Sequence, residues 1–205
     1  MLRLLLFLIC PAVACAEDAV GRLNIAGYRH REMCSATLVA PDRALTAAHC
    51  VATVADGYLK RIADMTFVAG WDGTDHAGSA RITAIDMHPD AFADGRFDLR
   101  HDLALVRLDR ALSPPPRPIA KADATGPFTL IGYRRSAPHR QTETPYCYGA
   151  PASGLWRIRC RVEPGQSGGA VLSDNGDLVA TIVAVTEEEA LVVPVDDWLQ
   201  RALRD

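Results

Sequence analysis

The sequence predicts an all-β protein, built as two small antiparallel β-barrels and closed by a short C-terminal helix. Three observations lead there. Short runs rich in β-branched and apolar residues, each bounded by Gly, Asp or Pro, recur along the chain. A triple proline in "SPPPRPIA" (113–120) divides them into two sets. Helical spacing of apolar residues over a whole segment appears at the end of the chain.

The chain opens with "MLRLLLFLICPAVACAED": Arg3, then an apolar run to Ala14, then the small-residue site Ala14-Cys15-Ala16. This is the pattern of a secretory signal peptide over 1–16, leaving Glu17 first. The run is too short to span a bilayer. Lipid attachment at Cys15 is the alternative outcome, since Ala12-Val13-Ala14-Cys15 loosely fits a lipoprotein signal. The protein is therefore expected outside the cytoplasm, in a periplasm or the medium, with no transmembrane segment.

The first barrel, expected within 17–112, takes its strands from 20–28, 33–40, 65–71, 80–88 and 103–108. Prolines then rule out a central strand or a helix, so 113–120 is a stiff extended link. The second barrel, within 121–205, takes 128–133, 155–160, 170–173, 178–185 and 191–195. In "VDDWLQRAL", Val195, Trp198, Leu199 and Ala202 share one helical face.

Of the 205 residues, 49% are hydrophobic, enough for a sizeable core, and the net charge is −3. Nucleic-acid binding would need a clustered basic excess, and the arginines are scattered along the sequence. Removing the leader leaves Cys34, Cys50, Cys147 and Cys160. An even number in an exported chain points to two disulfides, with three pairings open. No C-x-x-C spacing suggests zinc. Two polar clusters, Asp72/Asp75/His76 and Asp86/His88/Asp90, have cation-ligand chemistry, but turns supply such groups freely. No metal and no cofactor are expected.

"EPGQSGGAV" (163–171) encloses Ser167 in three glycines and a proline. Such a segment is either a tight turn or a bent backbone presenting a nucleophile, with N–H groups open to a substrate carbonyl. Serine hydrolysis also needs a base and a group that orients it. His49 in "LTAAHC" (45–50) follows a short apolar strand, and Asp102 in "RHDLALVRL" (100–108) precedes one. Each alone is ordinary; the order His, Asp, Ser is not. Gly165-Gln166-Ser167-Gly168-Gly169 also fits the nucleophile elbow of α/β-hydrolases, but that fold needs its histidine after the serine. All six histidines precede Ser167. An Asp-before-His order could use Asp42, but the strand pattern argues against the α/β fold that order belongs to. His101 is expected as a bystander on the opposite side of the strand from Asp102.

"TAAHC", "DLALVRL" and "GQSGGAV" resemble the three signature segments of the trypsin/chymotrypsin-like serine proteases, and "MHPDAF" (87–92) and the closing helix resemble their counterparts. The resemblance spans nearly all of 20–205. It implies two six-stranded antiparallel barrels with the active site between them. It also implies His49 as general base, Asp102 as its orienting partner and Ser167 as nucleophile, with the backbone N–H groups of Gly165 and Ser167 as the oxyanion hole. Cys34–Cys50 matches the family's disulfide before the histidine, which leaves Cys147–Cys160.

The chain departs from the family in two linked places. Digestive members pair a cleaved apolar N-terminus with an Asp just before the serine. Here that position is Gln166, and no Ile-Val-Gly-Gly start is present. The oxyanion loop is therefore expected to form without proteolytic activation, with Gln166 hydrogen-bonding locally. Candidate substrate contacts are Arg161, Val162, Val183, Ala184 and Val185. Arg161 facing the pocket would favour an acidic side chain; Arg161 facing solvent would not. Bulky Val183-Ala184-Val185 would narrow the pocket, and Glu187-Glu188-Glu189 would repel acidic substrates. The resemblance implies a monomeric endopeptidase acting on proteins or peptides, general or restricted to one partner. A protease-like protein that binds without cutting is the alternative.

Overall fold

The computed structural model describes residues 17–27, 30–186 and 188–204. The leader expected over 1–16, with Cys15, lies outside the described residues, as does Glu187.

The first half is a closed six-stranded antiparallel barrel. Its strands are β1 (Val20–Gly27), β2 (His30–Ala40), β3 (Arg43–Thr46), β4 (Met65–Ala69), β5 (Gly78–Met87) and β6 (Ala104–Leu108). They pair in the order β1-β2-β3-β6-β5-β4, back to β1. Alternation sets the inside: β4 buries Met65, Phe67 and Ala69 and leaves Thr66 and Val68 part-exposed. Leu23, Leu38, Leu45, Met65, Phe67 and Leu105 are fully buried there. Each such large apolar side chain contributes roughly 1.5–3 kcal/mol.

The second half is one seven-stranded antiparallel sheet. It holds β7 (Phe128–Arg134), β8 (Ala137–Cys147), β9 (Gly149–Ala152), β10 (Leu155–Ile158), β11 (Ala170–Ser173), β12 (Leu178–Val185) and β13 (Ala190–Pro194). Their order is β8-β7-β11-β12-β13-β10-β9. Central β12 is buried at Leu178 through Val183, which is why its sequence is a continuous apolar run. Phe128 stacks on Trp156 at 5.5 Å in this core.

Strands β8 and β9 are absent from the strands expected from sequence, and β3 is the short apolar strand expected before His49. β3 has four residues. β8 and β9 are the two edges of their sheet, largely solvent-facing and interrupted by Pro138, Pro145 and Pro151. Edge strands tolerate both features, because one side of the ladder has no partner to satisfy.

The proline link is extended and tied to both halves. Arg117 N–H donates to Leu38 of β2 at 2.9 Å, and Leu178 of β12 donates to the Pro118 carbonyl at 2.8 Å. The closing helix α2 (Asp197–Ala202) starts two residues later than its apolar spacing predicts. Asp196 explains the shift: its carboxylate accepts from Leu199 N–H and so acts as N-cap. The other Asp196 oxygen lies 3.0 Å from His88 Nε2, which ties the helix to the first barrel.

The disulfides are Cys34–Cys50 and Cys147–Cys160. Each closes a short loop, worth roughly 3 kcal/mol in the chain-entropy account, and such bridges persist in oxidising compartments. Among the described residues no helix is long and apolar enough to cross a membrane.

Candidate active site

One rung of the first barrel brings His49 and Asp102 together. Thr46, the last residue of β3, pairs with Ala104, the first of β6. Three residues past that rung, the one-turn helix α1 (Ala48–Val51) carries His49. Two residues before it lies Asp102, just after the 3-10 turn Leu99–His101. Asp102 is fully buried. One carboxylate oxygen accepts from His49 N–H at 2.8 Å, and the other lies 2.6 Å from His49 Nδ1. Held this way, the imidazole carries its proton on Nδ1 and leaves Nε2 able to accept one. Phe97 packs edge-on against the ring at 6.5 Å.

Ser167 sits beside this pair. His49 Nε2 and the Ser167 carbonyl oxygen each lie 3.8 Å from the same Cys50 sulfur. Among the described residues, the Ser167 hydroxyl is not hydrogen-bonded to His49.

The loop 163–169 is fixed by nearly all of its own polar groups. Gln166 N–H donates to the Glu163 carbonyl at 3.1 Å, closing a turn with Pro164 second and Gly165 third. Gly165 has φ +101°, as the third residue of a type II turn requires. The Pro164 carbonyl accepts from Arg135 N–H at 2.7 Å. In a trans peptide the C=O and N–H point opposite ways, so Gly165 N–H is turned away from the β7–β8 hairpin. Gly168 donates to Ile182 and Gly169 to Gln166. Buried Gln166 accepts from Glu163 N–H through its side-chain oxygen at 2.8 Å. This is the local hydrogen bond expected of it. Among the described residues, the two backbone N–H donors of the loop left without an acceptor are those of Gly165 and Ser167, and the buried Gln166 Nε2 has no partner either.

Ser35, fully buried on β2, joins the barrel to the second sheet at this point. Its N–H donates to the Ser167 carbonyl at 2.7 Å. Its hydroxyl donates to the Gly165 carbonyl at 3.0 Å and accepts from Tyr133 N–H at 2.7 Å. Its own carbonyl accepts from the Thr46 hydroxyl at 2.8 Å. Packing is so close that a Cβ on Gly168 would fall 2.0 Å from the Ser35 oxygen. Sequence inspection missed Ser35 and Thr46. A small hydroxyl residue beside Cys34 was the one available signal, and nothing local marks its partners.

The trypsin-like peptidase domain family matches residues 34–180. The chain belongs to that family. No curated protein is similar enough to match. A thermostable serine protease AL20 from an extremophilic microorganism shares the fold at TM-score 0.79 and 19% identity, over 92% of this chain and 96% of that one. A Glu endopeptidase, solved with MPD, shares it at TM-score 0.75 and 20% identity, covering 92% and 90%. So does an inactivated protease paralogue of the scabies mite, at TM-score 0.76 and 12% identity, covering 94% and 97%. The fold is thus common to cutting and non-cutting proteins, and the site must be argued from its own geometry.

In this trypsin-like peptidase, Gly168 and Gly169 tie Ser167 to Ile182 of β12, so Val183, Ala184 and Val185 continue from beside it. Val183 and Val162 are buried, while Val185 is exposed. The Arg161 side chain is exposed. The nearby Glu163 carboxyl is held below its usual range, chiefly by the Ser136 hydroxyl and further by Arg134 and Arg161.

The sequence clusters resolve differently. Asp72 accepts from Thr74 and Asp75 N–H groups, which is turn chemistry. Asp86 and His88 do not share a strand face with Asp90, because β5 ends at Met87 and His88 turns inward to cap the next turn. His101 lies in the turn before Asp102 rather than on a strand, stacked on His88 at 4.7 Å. Asp42 pairs with Arg43 in the tight turn after β2.

Proposed function

We propose that the chain is an exported serine endopeptidase, acting through His49, Asp102 and Ser167. The carrying observation is the hydrogen-bond pattern of the loop around Ser167. Buried backbone donors are almost always satisfied. Here every other backbone donor of the loop is spent, and those of Gly165 and Ser167 remain, beside a serine and a carboxylate-paired histidine. An oxyanion forming on a substrate carbonyl would satisfy both.

In this mechanism His49 Nε2 takes the Ser167 proton as Oγ attacks the scissile carbonyl. Asp102 stabilises the imidazolium, and the Gly165 and Ser167 N–H groups hold the oxyanion. The C–N bond breaks, His49 delivers its proton to the departing amine, and an acyl-Ser167 ester remains. Water, deprotonated by the same nitrogen, then releases the acid. The ester requires Ser167 Oγ to turn toward Nε2 when substrate arrives; such bonds often tighten only in the complex. The two disulfides and the leader pattern of residues 1–16 support export.

The second reading, a non-cutting binding protein, is favoured by one observation: the Ser167 hydroxyl and His49 are not hydrogen-bonded among the described residues. Kinetics separate the two. Ser167→Ala or His49→Ala should cost on the order of a million-fold in kcat, and Asp102→Asn roughly ten-thousand-fold. Near-normal turnover in Ser167→Ala or His49→Ala contradicts the proposed triad.

A further inference from the structure

A groove of about 420 Å³ opens on the β2 side of the oxyanion turn. Its apolar walls are Ile25, Met33 and Pro138, and its charged residues are Arg22, Glu32 and Arg135. It abuts the turn directly: a Cβ placed on Gly165 would lie 2.9 Å from Arg135 N and 3.0 Å from Met33 Cε. Met33 also adjoins Cys34, whose disulfide partner Cys50 has its sulfur 3.8 Å from His49 Nε2. In the proposed reaction that nitrogen delivers a proton to the departing amine. The amine side of the scissile bond therefore lies by the disulfide, and the leaving fragment runs toward Met33 and into the groove.

The charges around the groove are not equivalent. Lys60 reaches Glu32 at 2.6 Å, so the groove's acidic residue is neutralised in place. Arg134 is paired with Glu163. Arg22 donates to the Pro138 carbonyl at 2.8 Å and the Asn24 side chain at 2.7 Å, which holds its guanidinium, part-buried and with Nε unpartnered, against the groove wall. Arg135 differs. Its backbone N–H holds Pro164, while among the described residues its exposed guanidinium has no hydrogen-bond or ion-pair partner. The fold thus places an exposed, planar, two-pronged cation, without a partner among the described residues, beside a groove that abuts the Gly165 turn. That geometry suits a carboxylate.

We propose that Arg135 makes this groove a subsite for a carboxylate on the leaving fragment, a specificity element that rests on the endopeptidase reading. The carboxylate belongs either to an acidic side chain within the first few residues after the scissile bond or to the C-terminus of a short leaving fragment. Arg22 and Pro138 hold the hairpin that carries Arg135, and Met33 and Ile25 pack against the fragment's apolar part.

The test uses internally quenched peptides with a randomised acyl half. In one arm the leaving half carries Asp or Asn at each of its first three positions. In the other it ends as a free acid or an amide. Ratios within one protein cancel any general loss of activity. Wild type should prefer the acid member of a pair roughly five-fold in kcat/KM, the size an exposed ion pair supports, and less at high salt. Arg135→Gln should bring the ratio to about one, and Arg135→Lys should retain part of it. A preference confined to the acid–amide arm assigns the carboxylate to the chain terminus; one confined to the Asp–Asn arm assigns it to a side chain. Equal ratios in wild type and Arg135→Gln in both arms overturn the proposal. If no peptide is cut, the endopeptidase reading fails by itself. Affinities of the same pairs for Ser167→Ala, with and without Arg135→Gln, then decide the subsite: lost acid preference supports it, unchanged affinity overturns it.

Discussion

Ser35 of the first barrel holds Ser167 and the turn that precedes it. The Ser35 N–H meets the Ser167 carbonyl at 2.7 Å, and its hydroxyl meets the Gly165 carbonyl at 3.0 Å. One buried residue of β2 thus fixes the two peptide planes that directly follow those carrying the Gly165 and Ser167 N–H groups. The first barrel supplies His49 and Asp102, so this contact also fixes how Ser167 sits relative to His49, the proposed base.

Ser35→Ala keeps the backbone bond and removes the hydroxyl. Tyr133 N–H loses its acceptor and the Gly165 carbonyl its donor, both in the interior. The expected destabilisation is about 1–3 kcal/mol. Turnover should fall further than stability alone explains, by about ten- to a hundred-fold in kcat with a smaller change in KM. Denaturant titration and steady-state kinetics on the same sample check this. Unchanged kcat would show that the turn does not need Ser35.

Gly168→Ala should not yield a folded protein of normal stability. Its φ is +81°, and the new Cβ would meet the Ser35 carbonyl oxygen and the Thr46 hydroxyl far inside contact distance. Neither neighbour can yield without opening the junction between barrels. A melting temperature near that of wild type would refute this account of the junction.

Gln166 stands where charge pairing with a new N-terminus would otherwise order the loop. Its side-chain oxygen instead accepts from Glu163 N–H within the same turn. Activity should therefore survive one or two extra residues before Glu17, measured on purified extended chains. Gln166→Ala leaves the Glu163 donor without its partner and should cost about 1–3 kcal/mol. Strict dependence on a free N-terminus at residue 17 would contradict the local-clamp account.

Acid should loosen the turn that presents Asp102. Hydrogen bonds from the Arg100 guanidinium, and then its backbone N–H, hold the Asp98 carboxyl well below the usual carboxylate range. A depressed acid stabilises the fold above its unfolded value of about 3.9, and the contribution is lost as the pH falls below that value. Asp98 also caps the turn Leu99–His101. Asp98→Asn should be less stable than wild type at pH 7, and the difference should shrink steadily from about pH 4 downward. A gap that is constant between pH 7 and pH 2.5 would show that the Asp98 charge is not involved.

Much of the fold was legible because it is written in local pattern. Alternating or continuous apolar runs marked ten strands, and "SPPPRPIA" marked the link between halves. The candidate site residues stand in three short motifs in one order. What stayed hidden depends on partners distant in sequence. β8 reads as polar loop until its place at a sheet edge explains the exposure and the prolines. Ser35 is one serine in an apolar strand until the barrel meets the second sheet. Arginines that look scattered become neighbours once Arg22 of β1 bonds the β7–β8 hairpin at Pro138. Arg161 has two possible directions in sequence, and it is exposed in the fold.

The most direct test of the central claim is fluorophosphonate labelling of the purified chain beginning at Glu17, with Ser167→Ala and Ser35→Ala beside it. An assembled oxyanion loop with an activated serine predicts labelling of the wild type without any proteolytic step, none in Ser167→Ala and slower labelling in Ser35→Ala. A folded wild-type chain that takes no label would contradict the claim, and would mean that the protein binds its partners without cutting them.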